Sequence, residues 1–196
     1  MSADESWEKR SREAILDLKS NLSQNFWKAS GISLLLILGM ILTDLTVAIL
    51  LLVMTASVSI LTNSLKISWT GVEIATFSTV LLGYVIGPSA GALFGLAFIL
   101  VQVLSGSTPG FFMVWSIPGY IAAGYAAGIF TGIEIAVLGP VISGGLHLFF
   151  LSMTAILMGS ELPRYLRYAG LNFVFNLLIF RLAGSPAVEL LHMAGL

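Results

Sequence analysis

Long apolar runs broken by short polar or glycine-proline stretches dominate the chain after its first thirty residues. Residues 30–61 are apolar almost throughout, interrupted by Asp44. A helix needs ~20 residues to cross a hydrocarbon core. This run is long for one upright span and short for two. It predicts either one long or kinked helix, with Asp44 near the interface and 45–61 crossing, or two short helices meeting near Gly39–Asp44. Residues 62–70, Thr-Asn-Ser-Leu-Lys-Ile-Ser-Trp-Thr, form the first polar break. A second span is predicted over 71–86 and a third over 89–105.

Between these two spans glycines recur at 83, 87, 91 and 95, with Pro88 among them. In water such a helix would be poor, because glycine costs ~1 kcal/mol and proline ~3 kcal/mol in a helix interior. In a bilayer, small residues let helix backbones approach closely. The pattern therefore predicts two helices meeting at a tight Gly-Pro turn, with glycine faces packed on other helices. Ser105–Gly110 is a loop, since its glycines and proline set turn geometry. A fourth span follows at about 111–130, with Gly124, Gly128 and Gly132 again four apart. A fifth runs over about 133–158 after the Thr131-Gly132 turn. A sixth covers about 165–184 after the 159–164 loop, and 185–196 forms a short interfacial tail. The fold class expected is an all-α integral membrane protein of about six transmembrane helices, or seven if 30–61 divides. Residues 1–29 are a polar N-terminal segment and 30–196 a single helical domain.

Composition agrees with that pattern. Only 10% of residues are charged against 57% hydrophobic, whereas a soluble domain carries about 25% charge. Ten of the nineteen charged side chains fall before residue 29. There Trp7, Ile15, Leu18, Leu22 and Phe26 recur at roughly helical spacing, as in an amphipathic helix on a membrane surface; a solvated tail fits equally. No cleavable signal peptide is expected, because a secretory signal places a short apolar run near the start. The basic residues of this segment favour a cytoplasmic N-terminus in the plasma membrane. The loops at 62–70, 105–110 and 159–164 would then face outward, and Arg164 and Arg167 would run against the positive-inside tendency. A net charge of −1 offers no basic field for nucleic acid. The absence of cysteine removes thiolate metal sites and redox dithiols. Neither a metal nor a cofactor is expected.

Ionisable groups inside membrane segments are costly and mark function by default. His147 lies mid-span, and either faces a polar ligand cavity or bonds a carbonyl of a neighbouring helix. Glu73 follows the first outer loop, as a ligand group at the outer mouth or as a first-turn residue favoured by the helix dipole. Asp44 and Glu134 read as interface or helix-start residues. Tyr165, Tyr168, Asn172 and Asn176 share one helical face, and a buried Asn needs a partner on another helix or in a ligand. Trp69 and Trp115 are either interfacial belt residues or aromatic walls. No enzyme motif is present: Ser143, four residues before His147, lacks a separate base. With no phosphate-binding glycine loop, energy for transport has to come from a partner or an ion gradient.

From Trp69-x-x-Val72-Glu73-Ile74-Ala75 through Leu81-Leu82 and Gly91-Ala92-x-x-Gly95 to Tyr120–Gly128, the chain resembles the substrate-binding S components of energy-coupling factor vitamin importers. The similarity, nearest the thiamine-binding branch, continues at Leu138-Gly139, His147-x-Phe149-Phe150 and Leu171-Asn172. The resemblance implies six helices and an outward pocket from the first outer loop and spans 4–6. It also implies capture of a small water-soluble vitamin and docking on a membrane T component served by two ABC ATPases. By position, His147 stands where that branch has a Lys, Asn172 on its span-6 Asn and Glu73 on a Glu at the start of span 2. Trp69, Trp115 and Tyr168 complete the expected ligand contacts. The branch's span-4 acid is absent; Trp115, Ser116 and Tyr120 occupy that region. Its alanine pair for the T component is not clean, and Thr55, Ala56 and Ser59, with Gly91, are the nearest small docking faces. Two other readings remain: a membrane scaffold of an envelope or cell-shape complex, and a stand-alone carrier.

Overall fold

A computed structural model describes residues 45–65, 67, 70–104, 112–158, 162–193 and 196. The N-terminal segment, Asp44, Trp69 and the 105–110 loop lie outside the described residues. The described chain is helical: α1 (Leu45–Ser64), α2 (Ala75–Ile86), α3 (Pro88–Leu104), α4 (Met113–Ile129), α5 (Ile135–Leu157), α6 (Leu162–Ile179), a π-helical turn (Phe180–Gly184) and α7 (Ser185–Met193). Three stretches are long and apolar enough to cross a membrane: Leu45–Ser64, Ile135–Leu157 and Leu162–Met193. At 1.5 Å per residue, α1 reaches about 30 Å and α2 only about 18 Å.

The helix break at the glycine series is where the sequence places it. Gly87 takes φ +130, a region side chains rarely enter, and its N–H closes α2 on the carbonyl of Gly83. Pro88 then opens α3, where a missing N–H has no consequence. The glycines pack backbone on backbone. A Cβ on Gly91 would stand 2.6 Å from both the Gly124 carbonyl oxygen and the Gly83 Cα. One on Gly95 would stand 2.7 Å from the Tyr120 carbonyl oxygen. Thus α2, α3 and α4 form a close-packed core.

Four boundaries differ from expectation. Helix α1 runs on to Ser64, because Thr62 returns its hydroxyl to the carbonyls of Val58 and Ser59. Helix α2 begins at Ala75 and not 71: Gly71 holds φ +72, and 71–74 are non-helical. Helix α6 begins three residues early, at Leu162. Span 6 ends as an α-helix at Ile179, not 184, and the π turn Phe180–Gly184, with right-handed backbone at Ile179 and Ser185, joins it to the tail helix α7.

The expected docking faces turn inward. Thr55 is buried and shares a 3.0 Å hydrogen bond with Ser78 of α2. Ala56 is buried in the same core, and Ser59 accepts from Gln102 of α3 at 3.4 Å. Gly91 is enclosed by Gly83 and Gly124. These small residues, expected as docking faces, pack the chain on itself, with Ser59 half-buried at the edge of that contact.

Polarity is distributed inside out. Buried side chains include Ser78, Thr79, Ser143, Thr154, Asn172 and Asn176, while Val141, Leu148, Ile156 and Leu182 are more than 60% exposed. Large apolar clusters fill the rest of the interior. One centres on Phe94, Phe98, Trp115 and Phe150, the other on Phe77, Ile135 and Phe180.

Candidate functional site

Helices α5 and α6 run antiparallel in a fixed register. His147 meets Asn172, and eight residues along each helix Gly139 meets the ring of Phe180. On these two facing stripes the polar residues concentrate. His147 Nε2 lies 2.5 Å from Asn172 Oδ1. Asn172 Nδ2 donates to the Gly71 carbonyl at 2.8 Å. Asn176 Nδ2 donates both to Asn172 Oδ1 at 2.7 Å and to the Asn172 carbonyl at 3.1 Å. His147 Nδ1 faces the Tyr165 hydroxyl at 3.4 Å.

The segment before α2 is held to this pair by Gly71. A Cβ there would stand 2.5 Å from the Asn172 backbone nitrogen, so only glycine lets the non-helical piece 71–74 lie on α6. That contact brings Glu73 to the site. Its Oε1 accepts from Thr76 at 2.9 Å and from Tyr120 at 3.1 Å, and Oε2 accepts from Tyr120 at 3.4 Å. Gly71, bonded to Asn172 and two residues from Glu73, links the two hydrogen-bonded groups into one site.

Aromatic rings border these groups. Tyr168 stands edge-on to His147 at 6.4 Å, and Tyr165 lies 5.9 Å from Tyr168. Tyr120 is held between Phe98 and Phe150, each at 5.9 Å. The hydroxyls, the carboxylate and the imidazole can orient a small polar molecule, while the rings offer flat apolar contact. Among the described residues no three His, Asp or Glu side chains gather as a metal would require.

Of the residues singled out from sequence, Glu73, His147, Asn172 and Tyr168 come together. Trp115 is buried in the first apolar cluster, edge-on to Phe112 at 5.3 Å. Trp69 lies outside the described residues. Among the described residues the partners of His147 are the Asn172 side chain and the Tyr165 hydroxyl, not a backbone carbonyl. Glu134 caps the start of α5 with its own carbonyl and receives Ser185 at 3.3 Å, a structural role. Sequence reasoning missed Gly71 and Thr76 and gave Tyr120 no role. Thr76 was findable, since a hydroxyl three residues past an acid at a helix start lies within reach of its carboxylate; Gly71 acts through its backbone and left no side-chain signal.

The chain matches no protein-family model, no curated protein and no solved structure.

Proposed function

We propose that the protein is a membrane-embedded solute-binding subunit, and that its site captures a small water-soluble molecule of vitamin size. The observation that carries this reading is the convergence of Glu73, His147 and Asn172. They come from three separate segments and meet inside an otherwise apolar bundle, walled by tyrosines. Ionisable groups placed so are costly unless a function retains them. Membrane insertion is supported by three sufficiently long apolar helices and by large apolar side chains on their outer faces. Six crossings of the plasma membrane, a cytoplasmic N-terminus and a non-enzymatic role belong to the same reading. So does delivery through a T component and two ABC ATPases, in the manner of energy-coupling factor importers, which rests on the sequence resemblance.

The test is thermal unfolding of the purified protein against a panel of water-soluble vitamins. A ligand at a hundred times its Kd stabilises the folded form by about 2.7 kcal/mol. One compound should raise the midpoint, and His147→Ala or Asn172→Ala should abolish the shift. No shift across the panel, or a shift that both variants retain, refutes capture at this site. Co-purification of an ATPase and a T subunit separates this assembly from a stand-alone carrier.

A further inference from the structure

The hydrogen bonds around Asn172 leave no freedom in its orientation. The Gly71 carbonyl can only accept, so the Asn172 atom facing it is Nδ2. Oδ1 then faces His147, and the His147 nitrogen in contact, Nε2, has to carry the proton. In a neutral ring Nδ1 is left as an acceptor, directed to the Tyr165 hydroxyl.

Asn176 enforces this arrangement. Its Nδ2 grips both oxygens of Asn172, and its own Oδ1 is buried without a hydrogen-bond partner. Turning the Asn176 amide over would set an oxygen against two oxygens, so the orientation is retained although it strands Oδ1. Without that grip the Asn172 amide is held by Gly71 and His147 alone. Turning it over, with a change of tautomer on the ring, would then lose the Gly71 bond alone, whereas with Asn176 in place it loses the bonds to both.

We propose that Asn176 is a positioning residue that acts through Asn172 to hold His147 as the Nε2–H tautomer. Nδ1 then offers the site an acceptor, and the ligand group met there is an N–H or O–H donor. Tyr165, at 3.4 Å, is a loose donor to Nδ1 and yields to one better placed. The donor requirement rests on the solute-binding reading; the tautomer does not, and it is measured without ligand.

The experiment uses the full chain in lipid vesicles. The sequence has two histidines, so His192→Gln leaves His147 as the single imidazole. With ¹⁵N-labelled histidine, solid-state NMR should show a protonated Nε2 and an unprotonated Nδ1. In Asn176→Leu the Nδ1–H share should rise about fivefold, the population change for one neutral hydrogen bond. A purely structural Asn176 would leave the tautomer ratio unmoved. Should Asn176→Leu fail to fold, Asn176→Ser carries the same expectation, because a short hydroxyl bonds the Asn172 carbonyl but does not reach Oδ1. A wild-type His147 protonated on Nδ1, or an unchanged spectrum in a folded variant, overturns the proposal.

Discussion

Replacing Asn172 by leucine removes a side chain that ties the segment before α2, helix α5 and helix α6 together. Two groups lose their partners: the His147 Nε2–H and the Gly71 carbonyl. Asn176 keeps the Asn172 backbone carbonyl. A buried polar group left unsatisfied costs ~1–3 kcal/mol, so the pair sets an expectation of about 2–6 kcal/mol. Interhelical hydrogen bonds in membrane proteins average nearer ~0.6 kcal/mol, because the unfolded state in the membrane also finds partners. The membrane value draws the expectation to the low end of the first range, about 2–3 kcal/mol. For a chain of this length 1 kcal/mol moves the midpoint by about 2–4 °C. Asn172→Leu should therefore lower the apparent Tm by about 4–12 °C in detergent. The double variant His147→Leu/Asn172→Leu should lose less than the sum of the two singles, by at least ~0.5 kcal/mol, because groups in one network couple. Midpoints within 1 °C of wild type for Asn172→Leu, or strictly additive losses, would show that this cluster does not hold the segments together.

Two further outcomes follow from packing and charge. Gly91→Leu should abolish or sharply reduce folded yield, since even its Cβ would sit 2.6 Å from the backbones of α2 and α4; size-exclusion chromatography showing wild-type monodispersity would refute the close-packing account. Tyr120→Phe removes both hydroxyl contacts to Glu73. A bond to a charged group contributes ~1.5–3 kcal/mol, so unfolding assays should register a loss of that order. Glu73→Gln/Tyr120→Phe together should come closer to wild type than the sum of the singles, and equal or greater loss would place the carboxylate's support elsewhere.

The element order was legible because lipid-length apolar runs and glycine-proline breaks are local signals. The Gly87–Pro88 break needs φ > 0 at one residue and no N–H at the next, and both demands are written in residue type. The start of α2 was not legible. Apolar pattern continues through Val72 and Ile74, but the Asn172 amide takes the Gly71 carbonyl from a residue 101 positions away. The same holds for the face of α1. Thr55, Ala56 and Ser59 announce close approach by something small-tolerant, and sequence cannot say whether the approaching helix belongs to this chain. Here it is α2 and α3.

The site divides along the same line. Residue type flags His147, Asn172 and Glu73, because each is costly in an apolar setting. Their meeting depends on the antiparallel register of α5 and α6 and on one glycine contact, and neither leaves a local mark. A register slip by a single residue would rotate His147 by ~100° about its helix axis, away from Asn172. The Gly139–Phe180 contact opposes that slip, since the ring fills the space a Cβ would need. The polar site is therefore positioned by an apolar contact two helical turns away. Gly139→Leu, at a position that touches no polar group of the site, should therefore weaken the coupling of His147 and Asn172 measured by the double variant.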